Sequence, residues 1–239
     1  MNKTISEAED LAGALKQSVA DAKDIEVLIC PPFISLAVVN NVIKGSNLKL
    51  GAQNLFWENK GAFTGEVCAP MLKDAGCSFV LVGHSERRQY FGETDETVNK
   101  KVKAAFANAL IPIVCVGETL QEREKNITFA VIEKQIKEGL AGLKDDCSKI
   151  IVIAYEPVWA IGTGKTATPQ QAQEVHAFIR KIYDGMYKGA GKDIRILYGG
   201  SVKPDNISTL MSQLDIDGGL VGGASLDADS FTKLVKYQK

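Results

Sequence analysis

The strongest constraint in this sequence is an alternation. Short apolar runs rich in β-branched residues take turns with longer segments of helical spacing, and no low-complexity stretch interrupts the series. The runs are EVLICP from Glu26, KLGAQNL from Lys49, FVLVGH from Phe79, IPIVCVGE from Ile111, IIVIAYE from Ile150, IRILYGG from Ile194 and GGLVGG from Gly218. Between them apolar residues recur every three or four positions. The clearest cases are Val98, Val102, Ala105, Phe106 and Ala109, then Phe129, Ile132, Ile136, Leu140 and Leu143, then Val175, Phe178, Ile179, Ile182 and Met186. Strands joined through helices need right-handed crossovers into a parallel sheet, which leaves a doubly wound open sheet or a closed barrel. A helix also opens the chain, where Thr4 with Glu7, or Ser6 with Glu9, makes a capping box ahead of Leu11, Leu15 and Val19.

A length of 239 residues suits a single barrel, which commonly needs about 250. The 28 basic and 29 acidic residues are nearly balanced and form no block of like charge, so neither nucleic acid nor an anionic membrane is favoured as a partner. Five cysteines, an odd number without a CxxC pair, argue against a disulfide framework and against a zinc site. With no apolar run of membrane-spanning length and no signal-like start, the expectation is a soluble, cytoplasmic protein with reduced thiols and a small-molecule partner.

Polar residues gather where the apolar runs end: His84, Glu118, Glu156, Ser201 and the pair Gly222-Gly223. In a parallel α/β architecture these ends converge on one face, where such folds place their sites. Glu156 is the most informative. Ile151 to Ala154 read as a strand buried on both faces, Pro157 ends the ladder, and a new helix opens with Thr168 as cap, Pro169 in its first position and Gln171 completing a capping box. The residues from Pro157 to Ala167 are therefore a loop behind a strand-end acid. A merely solvated acid is the plainer alternative, which the proline, tryptophan and glycines after it disfavour.

SERRQYF after His84 reads as a helical turn whose amino end faces the imidazole, which predicts a ring that stays neutral and serves as donor and acceptor. His176, in a helical pattern, reads as structural or surface. Glycine-rich turns at Gly162-Thr163-Gly164, Gly199-Gly200-Ser201 and Gly222-Gly223 can expose backbone amides, and the last two follow consecutive strands near the C-terminus, the usual phosphate site of an α/β barrel. A phosphate-bearing substrate follows, with simple turn formation as the alternative.

The segments VGHSERRQYFGE, AYEPVWAIGTGK, LYGGSVKP and GLVGGASL resemble the motif set of the triosephosphate isomerase family, and the similarity runs through essentially the whole chain. The resemblance implies a TIM (β/α)8 barrel and a homodimer. It also implies cofactor-free interconversion of dihydroxyacetone phosphate and glyceraldehyde 3-phosphate, a step of glycolysis and gluconeogenesis. By the same resemblance Glu156 is the base, His84 the neutral electrophile and Glu86 an acid beside the site. Backbone amides at Gly162, Ser201, Gly222 and Gly223 hold the phosphate, and the loop behind Glu156 closes over the substrate. The segment from Gly51 to Val67, with Phe56, Trp57 and Phe63 as exposed aromatics, docks into a second subunit and brings Thr64 near the neighbour's site.

The family's first strand ends in an asparagine and a lysine, and the lysine precedes a segment resembling Met1-Asn2-Lys3. No residue here takes that lysine's role, and Lys3 lies beyond the strand end. The expectation is thus one barrel domain over residues 1–239, with seven strands visible and the first missing at the N-terminus. Two readings stay open: an isomerase whose sequence lacks its true start, or a truncated, poorly active phosphate-binding relic of the same family.

Overall fold

The computed structural model describes residues 1–160 and 166–237. In chain order its elements are α1 (Ile5–Ser18), β1 (Val27–Ile29), α2 (Leu36–Ile43), β2 (Leu48–Ala52), α3 (Ala69–Asp74), β3 (Phe79–Val82), α4 (Ser85–Tyr90) and α5 (Asp95–Ala107). There follow β4 (Ile111–Val116), α6 (Leu120–Glu124), α7 (Thr128–Gly139), α8 (Asp145–Ser148), β5 (Val152–Tyr155), α9 (Pro169–Met186), β6 (Arg195–Tyr198), α10 (Ile207–Met211), β7 (Gly218–Gly219) and α11 (Ala228–Val235). Every apolar run singled out in the sequence overlaps a strand, and the three periodic segments fall on α5, α7 and α9, except that Ala109 lies past the end of α5 and Leu140 and Leu143 past the end of α7.

The helix ends follow from local chemistry. Thr4 and Glu7 cap α1 reciprocally, so of the two possible boxes the earlier one forms. Thr168 accepts from the Gln171 amide and Gln171 answers the Thr168 amide, with Pro169 in the first helical position where its missing N–H costs nothing. Such caps are each worth about 1 kcal/mol.

Among the described residues seven strands pair in parallel in the order β1 to β7, each with its successor in the chain. The register sets Phe79 beside Ile111 and Val82 beside Val114, so side chains of like parity share a face. On the inner face Phe79, Leu81, Ile113, Cys115, Val152 and Ala154 form one cluster, joined by Leu28 of β1, Leu197 of β6 and Leu220 just past β7. Strands from opposite ends of the order meet in that cluster, which requires the sheet to curl. At the amino-terminal side Arg195 of β6 pairs with Glu26, the residue two before Leu28. The result is the curled (β/α) sheet of a TIM barrel.

The outer face carries the larger core. Val80, Val114, Ile153 and Ile196 pack under Val98 and Val102 of α5, Ile132 and Ile136 of α7, and Ile179 of α9. Fully burying each such side chain contributes about 1.5–3 kcal/mol. No helix among the described residues is long and apolar enough to cross a membrane.

One reading of the sequence changes here. In the segment after β2, Phe56 and Trp57 are half-buried because they stack on each other, with centroids 4.1 Å apart, while Phe56 also meets the exposed Phe63 at 4.5 Å. The start of the loop behind Glu156 is ordered as well: Val158–Ala160 form a 3-10 turn.

Candidate active site

Glu156 follows β5 directly and is only 2 % exposed. Its backbone stays in the sheet, since its amide donates to the Val116 carbonyl at 2.8 Å. Two glycines just past the ends of the flanking strands β4 and β6 make the room. A Cβ on Gly117 would lie 1.7 Å from the Glu156 carbonyl oxygen, and one on Gly199 would lie 2.9 Å from Glu156 Cγ. Any other residue at position 117 would therefore push the strand end, and the carboxylate with it, out of place.

His84 lies 2.9 Å away, measured from its Nε2 to Glu156 Oε1, and caps α4 at the carboxyl end of β3. The second carboxylate oxygen, Oε2, accepts from the Ser85 amide at 3.0 Å. Both oxygens of Glu156 are thus engaged in this pose. His84 Nδ1 in turn accepts from the Glu86 amide at 3.3 Å, so the hydrogen sits on Nε2 and points at Glu156.

The sequence predicts a histidine that is neutral well below its ordinary value. In this pose the opposite pull operates. Burial works against the imidazolium, but the hydrogen bond that His84 donates to Glu156, the charge of Glu156, and the charges of Glu86 and Glu93 outweigh it and raise the pKa above 6.5. The helical turn is where the sequence puts it; the nearby carboxylate decides the direction. The Nδ1 cap still favours the neutral tautomer, so the ring's charge depends on where Glu156 points.

Glu86 is exposed, with its Oε2 3.8 Å from His84 Nδ1. Ser201 follows the Gly199-Gly200 turn after β6, and its carbonyl accepts from the Asn206 side chain at 2.9 Å. Gly222 and Gly223 follow β7 and are both exposed, Gly223 opening a short 3-10 turn held by the Ser225 amide and hydroxyl on the Gly222 carbonyl. The fold thus brings His84, Glu86, Glu156, Ser201, Gly222 and Gly223 to the carboxyl ends of their strands. Gly162 lies outside the described residues.

Glu118 has a part that its position alone did not disclose. It is fully buried at the end of β4 and accepts from Tyr155 Oη at 3.1 Å and 3.2 Å, from Trp159 Nε1 at 2.9 Å and from Arg123 Nη1 at 3.2 Å. Arg123 also covers the Trp159 ring at 5.0 Å. This anchors the first turn of the loop behind Glu156 to the barrel. An acid after VCVG was visible in the sequence, but its partners come from β5, the following loop and α6, which only the fold assembles. Beneath the base, burial and then the charge of Glu156 raise the Cys115 thiol, which therefore stays protonated and unreactive.

The described arrangement offers a carboxylate and an imidazole in contact, with exposed glycines at a strand end on the same carboxyl-terminal face of the sheet. That is equipment for moving a proton on a small anionic substrate.

Comparison with known proteins agrees with this architecture. The family model described as triosephosphate isomerase matches residues 1–238. A curated relative named triosephosphate isomerase from Endomicrobium trichonymphae is 67 % identical over 239 residues, covering 100 % of this chain and 96 % of its own. One of the same name from Moorella thermoacetica is 59 % identical, again covering 100 % and 96 %. The crystal structure of triosephosphate isomerase from Bartonella henselae superposes with a TM-score of 0.89 at 40 % identity, over 98 % of this chain and 93 % of that one. Matched along residues 1–238 and 67 % identical to such a relative, this chain belongs to the triosephosphate isomerase family.

Proposed function

We propose that the protein interconverts dihydroxyacetone phosphate and glyceraldehyde 3-phosphate, with Glu156 as the base and His84 as the electrophile. The observation that carries the reading is the 2.9 Å contact between Glu156 Oε1, after β5, and His84 Nε2, after β3, across the end of β4. A glutamate base beside a histidine electrophile is the established arrangement of this family. The relatives at 67 % and 59 % identity over the whole chain favour an active isomerase over a phosphate-binding relic.

The substrate phosphate lies against the amides of Ser201, Gly222 and Gly223 and of the loop that includes Gly162. Glycine allows this approach because no Cβ shields the N–H. Glu156 leaves His84 and the Ser85 amide and removes a proton from the carbon beside the carbonyl; the C–H electrons form the enediolate double bond, and the carbonyl oxygen becomes the negative end. The His84 Nε2–H donates to that oxygen, a bond that strengthens as charge develops. Through His84 the hydroxyl proton of the other oxygen passes to this one, Nε2 giving up its hydrogen and regaining one, while Glu156 returns its proton to the neighbouring carbon, so nothing is gained or lost. Glu86 acts through charge, raising the proton affinity of His84. Closure of the loop behind Glu156 excludes water and keeps the enediolate from expelling phosphate.

The working unit in this reading is a cytoplasmic homodimer in which residues 51–67 dock into a second subunit and bring Thr64 near its site. The exposed Phe63, stacked on Phe56, supports that docking. Light scattering at micromolar concentration tests it, and a monomer would refute it.

For the chemistry, the test is isomerase turnover with Glu156→Gln. Removing a positioned base costs about 10² to 10⁴ in kcat. Near-normal turnover of Glu156→Gln would exclude Glu156 as the base.

A further inference from the structure

The turn that presents His84 is gripped on both sides by charged side chains. Gly83, immediately before it, has a φ of +75°, a conformation other residues adopt only with strain. Its amide donates to Glu93 Oε1 at 2.8 Å, and its carbonyl accepts from Arg88 Nε at 2.9 Å. Neither peptide group flanking Gly83 is free to rotate, and the second of them leads into His84. Glu93 is buried, and its other oxygen takes Arg87 Nε at 2.9 Å and Lys101 Nζ at 2.6 Å. Lys101, 4 % exposed, reaches further and donates to Asn54 Oδ1 at 2.7 Å. Asn54 is itself buried, inside the segment 51–67.

An unbroken series of short polar contacts thus runs from that segment through Lys101 and Glu93 to the amide of Gly83, the residue before His84. Stability alone does not account for it. A buried ion pair costs much of what it gains in desolvation, and apolar side chains of the same volume are often at least as stable. Glu93 remains ionised: burial works to raise its carboxyl, but Lys101, Arg87 and the Gly83 amide outweigh it and hold it below its ordinary range, while burial lowers the Lys101 ammonium against the pull of Glu93.

The geometry points to Glu93 as a positioning residue for His84, and to the Asn54–Lys101–Glu93 series as the link that makes the placement of His84 depend on the seating of the 51–67 segment. This rests on the reading of His84 as the electrophile. Glu93 touches no substrate; it acts through Gly83.

The test compares Glu93→Asp and Asn54→Ala with the unaltered protein in steady-state kinetics and in nitrogen NMR of His84. Shortening the carboxylate by one methylene draws the Gly83 turn aside, and a misplacement of about 1 Å can cost about 10²-fold in rate. The expected result is a fall in kcat toward that size with little change in KM, because the electrophile matters in the transition state and the phosphate contacts are untouched. The His84 ring resonances should shift in both variants. Asn54→Ala leaves the ion pair intact, so it should fold and show a smaller loss of the same kind. Unchanged kcat and unchanged His84 resonances in both variants would overturn the proposal, whatever happens to their melting temperatures. A His84→Gln control separates the two ideas: full turnover in that variant would sink the electrophile reading, whereas lost turnover there together with unaltered Glu93→Asp and Asn54→Ala would sink this one alone.

Discussion

Acid should destabilise this protein through His176. The side chain is fully buried on α9, its ring edge-on to Tyr155 with centroids 5.8 Å apart. Its Nδ1 lies 3.1 Å from the Asp215 carbonyl, which can only accept, so the hydrogen is on Nδ1 and the protonatable atom is Nε2. Nε2 is buried without a partner among the described residues. Burial therefore drives the pKa from 6.5 down to about 4, although the Asp215 carbonyl and the Asp217 charge pull the other way. Between those two values the unfolded chain binds a proton that the folded chain refuses. The contribution to stability is complete above about pH 6.5 and is lost as pH falls toward 4. At about 1.4 kcal/mol per pH unit, that interval is worth about 3 kcal/mol. His176→Asn keeps a donor near Asp215 and removes the titration. Urea unfolding at about pH 7.5 and about pH 4.5 should show the variant weaker at neutral pH, yet losing about 2–3 kcal/mol less than the unaltered protein on acidification. Equal acid losses in the two proteins would refute the reasoning.

Three more outcomes follow from the site. Glu156→Gln should lower the pKa of His84, since the carboxylate is what raises it; an unchanged titration in nitrogen NMR would show that another group sets the ring's charge. Gly117→Ala should reduce kcat far more than a surface substitution does, because the added carbon would sit 1.7 Å from the Glu156 carbonyl oxygen; steady-state kinetics with normal values would mean that the strand end yields without moving the base. Glu118→Ala leaves the buried Tyr155 hydroxyl and Trp159 Nε1 without their carboxylate acceptor, at about 1–3 kcal/mol each, and the midpoint of denaturant unfolding should fall accordingly.

Much of this could be read from residue order because the deciding forces are local. A buried parallel strand is a continuous apolar run, which announced β3, β4 and β5, while the glycines around Leu220 and Val221 marked β7; Thr168, Pro169 and Gln171 mark the start of α9 through contacts within one turn. Strand-end positions likewise placed His84 and Glu156 on one face. What stayed hidden depends on pairs remote in sequence. Whether His84 is neutral turns on a carboxylate 72 positions later, and the burial of Lys101 turns on Asn54, 47 positions earlier. Beside Lys100, a surface residue, Lys101 looks like more solvated charge. His176 was half legible: it shares the buried stripe of Ala172, Val175, Ile179 and Tyr183 at helical spacing, which points to the interior, but its unpartnered nitrogen is a product of packing.

The claim that matters most is proton abstraction by Glu156, and its most direct test is isomerisation of dihydroxyacetone phosphate in deuterium oxide, followed by NMR. A carboxylate that takes a proton from carbon and holds it through the life of an enediolate can exchange it with solvent before returning it. The account predicts that glyceraldehyde 3-phosphate formed by the unaltered protein carries solvent deuterium at the carbon beside its aldehyde, and that both turnover and labelling collapse in Glu156→Gln. Turnover that delivers no deuterium to that carbon, or labelling that persists at full rate in Glu156→Gln, would contradict it.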